Sequence, residues 1–499
     1  MSGQRRLWRL ALMAALLCLH AGAAAAFPPA ETDARLQPIV GQTLWLANGV
    51  GVCVSAGSQN AHDLVSDGLQ GAMVVWSDAR PTANGADIYA QRLSAGGMPL
   101  WTVNGVAVIT ADNDQTEPKA ISDGAGGALL AWNDLRQGRS AIFAQRLDGS
   151  GHALWAAQGI SVTTGAADHL MSQLLPDGSG GAFVIWEENS AQDRLDTNLF
   201  AQRISAEGEL LWTTPATITL AAGEQYDPVA VFDDSGGFMV VWADIRTASD
   251  QNLYAQRISG NGSALWATDG IPVSSSSALQ RLGDIARDGQ GGVFVAWQDY
   301  RSPGGQGDAY LMRLTASGDR AWPDDVPVMT AADLAEKPTA LVPDGSGGAI
   351  MLADGLNPSE MTNADVLAQR IDAGGALVWG PQPVNVTPWT EQQTAAAAVP
   401  DGSGGVYLAW MDNFSDPLGA DMVAQHLDSA GAAQWPGHGV VVVASPGVQN
   451  HPQVLSDGGR GLIIVWQDYR DDPDIPDLYA QRISEVNQLI FPLARKNSR

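Results

Sequence analysis

The chain has 499 residues, with 54 acidic side chains against 27 basic ones and a formal net charge of −27. An acidic surface of that size excludes nucleic acid and anionic membranes as partners, because phosphate binding needs a basic face. Hydrophobic residues make up 45% of the chain, enough for a sizeable core rather than a disordered acidic tail.

The first element in chain order is a secretory signal peptide. Arg5, Arg6 and Arg9 form its positive end, Leu10–Leu19 its apolar centre, and Ala24–Ala26 the small-residue cleavage site before Phe27. It is too short for a membrane span, and no later stretch reaches ~18 uninterrupted apolar residues. The sequence therefore predicts an exported protein, periplasmic or extracellular, with residues 1–26 removed and 27–39 as a linker. Processing takes the formal charge from −27 to −30 and removes Cys18, so Cys53 has no partner for an intrachain disulfide.

From residue 40 to 485 one unit of about 55 residues is written again and again, the signature of a propeller or solenoid. Residues 233–273 show it whole: DDSGGFMVVWADIRTASDQNLYAQRISGNGSALWATDGIPV. The first tryptophan of the unit falls at Trp76, Trp132, Trp186, Trp242, Trp297, Trp410 and Trp466, with Ala353 in the sixth place. The second falls at Trp45, Trp101, Trp155, Trp212, Trp266, Trp322, Trp379 and Trp435. Each unit reads as four strands, exemplified by strand a at 118–122, b at 128–132, c at 142–147 and d at 159–162. The DGxGG turn between a and b supplies the positive-φ positions of a tight hairpin. Four strands repeated radially make a propeller blade. The prediction is an all-β, eight-bladed β-propeller of four-stranded blades.

The phase of the repeat predicts how the ring closes. The chain opens with a lone d-type segment at 44–54 and ends after YAQRIS (479–484) without a second tryptophan. The N-terminal strand is expected to complete the last blade and remove its open edge, leaving 486–499 as a short basic tail.

The AQRLDGSGHALW stretch (144–155) resembles the tryptophan-docking repeat of quinoprotein-type propellers. That group also includes a non-enzymatic periplasmic outer-membrane assembly lipoprotein. The fuller DGxGG…WxDxR…YAQRL…LW unit is similar to repeats of secreted bacterial propeller proteins. The resemblance implies the fold and says little of function. The adjacent cysteine pair of many quinone-dependent enzymes is missing, so no quinone and no other cofactor is expected.

Candidate chemistry lies in the loops. WxDxR recurs as Asp78/Arg80, Asp134/Arg136, Asp244/Arg246, Asp299/Arg301 and Asp468/Arg470. Five like copies argue for loop-capping ion pairs rather than one active site. In propellers the segments leading into strand a share a face with the b–c loops. Here they carry Asp114 and Glu117, Asp227 and Glu391, with His62 and His451 in blades that ring closure makes neighbours. These six are the candidate ligand- or partner-binding residues. The densest acid run, Asp471, Asp472, Asp474 and Asp477, is a candidate calcium loop, since calcium accepts six to eight oxygens in loose geometry. No catalytic triad, P-loop or zinc cysteine set is present. The sequence thus points to a monomeric, non-catalytic scaffold that binds a protein or carbohydrate through an acidic rim. The alternative is a propeller hydrolase or lyase with its site at the channel mouth.

Overall fold

The computed structural model describes residues 40–486, apart from 82–83, 166, 190–195, 247–250, 303–305, 358–362, 390 and 414–420. The segments expected as signal peptide and linker, and all but the start of the expected tail, lie outside the described residues. Every regular element described is a β-strand. In the fourth blade strands a to d are Gln225–Phe232, Phe238–Asp244, Asn252–Ile258 and Ile271–Pro272, each antiparallel to the next. Eight sheets of this order complete an eight-bladed propeller. The a strands touch one another all the way round the ring, so they line its axis.

Strand b is buried at every position from Phe238 to Asp244 because both faces of a blade are covered by its neighbours. The expected strand d shrinks to Ile160–Ser161, while strand a lengthens to Gln115–Ser122. The lengthening reflects a bulge: Glu117 and Pro118 together oppose Trp132, and pairing resumes on both sides.

Two polar clusters recur, the first in five blades and the second, as an Asp–Arg pair, in seven. In the first, Trp242 Nε1 donates to Asp244 Oδ2 at 2.9 Å, and Arg246 pairs with the same carboxylate at 2.7 Å. The guanidinium also lies 3.5 Å from the centroid of the Tyr254 ring. Asp78, Asp134, Asp299 and Asp468 repeat the arrangement, and all five acids are at most 1% exposed. The WxDxR acids are therefore structural. In the second cluster Asp233 Oδ1 accepts the amides of Ser235 and Gly237 in the DGxGG turn, where Gly236 has φ +90°. Arg257 donates to the other oxygen of Asp233 at 2.9 Å, then reaches the carbonyl of Ala316 in the next blade at 2.8 Å. The indole of Trp266 donates to that same carbonyl. The recurring AQR and the second tryptophan thus form the seam between blades.

The ring closes as the phase requires. Val50–Cys53 and Val40–Thr43 both pair antiparallel with the last strand, Asp477–Val486. Residues 40–43 extend the pairing beyond the expected 44–54 segment. Elsewhere a tight turn joins c to d at this point, with Leu93 bridging Pro99 for example; in the closing blade the two strands come from opposite ends of the chain and run on together.

Candidate functional site

The strand-a bulge makes the channel mouth. In four blades the first bulge residue has positive φ although it is not glycine: Ala61 (47°), Glu117 (51°), Asp227 (50°) and His451 (52°). In three of them proline follows (Pro118, Pro228 and Pro452) and is buried against the strand-b tryptophan it helps to oppose. Left-handed backbone at a side-chain-bearing residue costs of order 1 kcal/mol or more, which the surrounding ladder must offset. The consequence is an outward turn. Glu117, Asp227 and His451 are exposed at the mouth, while residues one or two positions on line the channel.

Two clefts open there. The first, about 510 Å³, spans the closed seam between blades 8 and 1 and runs into blade 2. Its wall includes Asn60, His62, Glu117, Lys119, Gln453 and Tyr469, with His451 at its edge. His62 is 5% exposed, and its carbonyl accepts a hydrogen bond from Gln453 Nε2 at 2.7 Å across the seam. Its ring Nε2 is buried without a hydrogen-bond partner. Burial, then the proximity of His451, pushes the imidazole down to about 4, so it is neutral at physiological pH. Beneath it Asp63 accepts the amides of Leu64 and, from the next blade, Ala120. Burial raises the Asp63 carboxyl against the opposing pull of Lys119.

The second cleft, about 480 Å³, shares Glu117 and Lys119 with the first and continues through Ser172, Gln173 and Glu187 to Asp227. Glu187 Oε1 accepts the Asp227 amide at 2.9 Å, and burial raises its carboxyl. The two clefts together form a groove over half of the mouth, polar in the first and mixed in the second, where Leu170, Met171, Pro228 and Val229 join the lining. At the strand position of Lys119 and Gln453 the opposite half presents Asp284, Ala340 and Ala397, and burial raises the Asp284 carboxyl to about 6.

Of the residues singled out from sequence, His62, His451, Glu117 and Asp227 come together along this groove. Asp114 does not line it: its carboxylate accepts the Ala86 amide at 2.9 Å and fastens the segment before strand a to the b–c loop. Glu391 lies in the corresponding segment of the seventh blade, with Oε2 buried and without a hydrogen-bond partner. The acidic loop sits elsewhere. There Asp472 accepts the Asp474 amide, and burial with Asp471 and Asp468 nearby raises Asp477 to about 6. Among the described residues no three His, Cys, Asp or Glu side chains stand as a metal-holding group. Sequence reasoning missed Lys119, Gln453 and Tyr469. The Gln-x-x-Pro starts of strand a (QTEP, QYDP, QNHP) were the available signal, since proline there marks a break in the ladder. Cys53 is buried against Asp78 and pushed up to about 12, an unreactive thiol.

No family model matches the sequence, and no curated protein matches it. Among solved structures the chain is similar to puromycin hydrolase, at 15% identity over 83% of this chain with a TM-score of 0.46. It spans 59% of that protein's chain. It is also similar to the polysaccharide lyase Uly1, at 10% identity over 89% of this chain and 92% of that one, TM-score 0.42. A protein of unknown function from Dyadobacter fermentans DSM 18053 matches at 10% identity over 64% of this chain and 95% of that one, TM-score 0.37. At such identities the likeness concerns the fold alone.

Proposed function

We propose that the protein is an exported, non-catalytic propeller that binds a ligand or partner at its channel mouth, with the acidic rim around it as a solvated surround. The observation carrying this reading is the convergence of His62, Glu117 and His451, from three consecutive blades, on one cleft across the ring closure. A polar concavity with an unpaired buried imidazole nitrogen is a binding feature, whereas the WxDxR acids are consumed in packing. The docked tryptophans and their seam support kinship with tryptophan-docking propellers, and the leader at 1–26 supports export. The enzyme reading draws on the same convergence, since a hydrolase or lyase would gather odd polar residues from adjacent blades. Against a serine- or cysteine-dependent hydrolase at the ring closure, the lining of the first cleft holds neither residue, and the serine of the groove, Ser172, lies in the second.

The test is a binding screen of sugars, amines and peptides against the purified mature protein, read by thermal shift with product analysis alongside. Stabilisation that disappears in Glu117→Ala and Gln453→Ala supports the mouth as the site. Stabilisation kept in both but lost in Asp471→Asn/Asp474→Asn moves binding to the outer rim. Conversion of any probe makes the protein an enzyme.

A further inference from the structure

We propose that the ligand of the mouth is a neutral oligosaccharide lying along the groove from His62 to Asp227. The inference rests on the mouth being the binding site and adds the chemical class. The wall of the first cleft offers amides, two imidazoles, a carboxylate, an ammonium and a phenol, with Ala61 and Pro118 as its nonpolar residues. An apolar ligand would leave those groups desolvated and unpaired, at about 1–3 kcal/mol each. A ligand bearing hydroxyls around its whole edge satisfies them, because each hydroxyl both donates and accepts. The unpartnered Nε2 of His62 asks for such a two-way partner.

Charge narrows the class further. Lys119 stands where the two clefts meet and makes no ion pair among the described residues, so a polyamine spanning both would meet an ammonium midway. Glu117, Glu187 and Asp227 flank it, so an anionic chain would face three carboxylates. A neutral chain meets neither cost and uses both signs as hydrogen-bonding groups. Tyr469 supplies one ring at the end of the first cleft on which a sugar face can rest. Each cleft falls within the ~300–1,000 Å³ of a small-molecule site. Because they share Glu117 and Lys119, the ligand extends through both and is longer than one sugar ring.

The experiment is calorimetric titration of the mature protein with neutral gluco-, manno-, galacto-, xylo- and chito-oligosaccharides. Oligogalacturonate serves as the anionic probe and spermidine as the cationic one. At least one neutral series is expected to bind, with the tetramer about tenfold or more tighter than the dimer as it crosses from one cleft to the next. Tyr469→Ala and Glu117→Gln should each weaken it about tenfold, with unchanged melting showing that the fold survives, while Asp474→Asn leaves it intact. Neutral sugar binding untouched by the mouth variants overturns the proposal. Binding of oligogalacturonate or spermidine alone, lost in Glu117→Gln or Lys119→Met, overturns the neutral class and leaves the mouth as the site. Absence of binding by every probe overturns both.

Discussion

The guanidinium of Arg482, in the last blade, donates to the carbonyl of Ala95 in the first at 3.1 Å. Trp45, from the N-terminal strand, donates its indole N–H to the same carbonyl at 3.0 Å. This is the seam that Arg257, Trp266 and Ala316 form between two blades consecutive in sequence. The ring therefore has no weaker joint at its closure, provided both ends of the chain are present. Arg482 is also paired with Asp457, whose side chain is fully buried. Arg482→Ala would strand that carboxylate at a cost of about 3–5 kcal/mol, read as a lower denaturation midpoint. Deleting residues 27–55 should do more, exposing the edge of Asp477–Val486 and producing aggregation. A deletion variant that melts like the full-length protein would mean that the closing strands contribute little.

The repeat made the architecture readable because its period, its tryptophans and its glycine turns each answer to a local physical demand. The offset of the lone segment at 44–54 from the first full unit was enough to foresee closure. The groove was only half readable. Glu117, Asp227 and His451 stood out as charged or titratable residues before strand a, but only the proline after each marked a break in the ladder, and it did not say that the bulge turns them outward. Lys119 and Gln453 read as ordinary strand residues, since only the ring brings the blades that carry them into one cleft. Asp114 was as conspicuous, and the structure places it off the groove with one carboxylate oxygen accepting a backbone amide.

Blade 6 departs from the pattern at linked positions. Ala353 replaces the strand-b tryptophan, Gly355 the aspartate two residues on, and Glu336 the buried glutamine that opens strand a in six other blades, His169 standing there in blade 3. Glu336 is 1% exposed and accepts the Ala331 amide at 2.7 Å, while burial pushes its carboxyl up to about 7. A raised carboxyl means that the folded state holds the proton more tightly than the unfolded chain. Stability is then lost as pH rises from the ordinary carboxylate range through about 7. Glu336→Gln should add roughly 2 kcal/mol at about pH 8 and little at about pH 4.5, measured by urea midpoint. Amides of Ala349–Leu356 should also exchange faster than those of Phe238–Asp244; equal protection would show that the missing tryptophan does not loosen the blade.

His62 has the opposite sign. Its imidazole is lowered from 6.5 to about 4, so the folded state resists the proton that the unfolded chain takes up. Its contribution is complete above pH 6.5 and is lost as pH falls towards 4. The loss amounts to roughly 2–3 kcal/mol for a group this buried. In His62→Gln the stability profile between those limits should flatten by that amount. An unchanged acid limb would place the titration at other groups.

Asp477 opens the last strand, opposite Asp468, and closes the loop that carries Asp471, Asp472 and Asp474. Burial raises its carboxyl to about 6, and the charges of Asp471 and Asp468 add to the effect more than Arg470 offsets it. The folded state again binds the proton more tightly, so stability falls as pH climbs from about 4 to 6. Water reaches part of this side chain, which reduces the effect to about 1 kcal/mol. Asp477→Asn should therefore melt above wild type at about pH 7.5 and level with it at about pH 4. Calcium relieves the same repulsion if the loop can draw Asp471 and Asp474 in around it. With millimolar calcium the wild type is then expected to melt higher than in chelator only above about pH 6, where Asp477 is ionised. The gain should vanish in Asp471→Asn/Asp474→Asn. Equal melting with calcium and with chelator across that range would leave the four acids as a solvated rim, and the Asp477→Asn gain would then report their mutual repulsion alone.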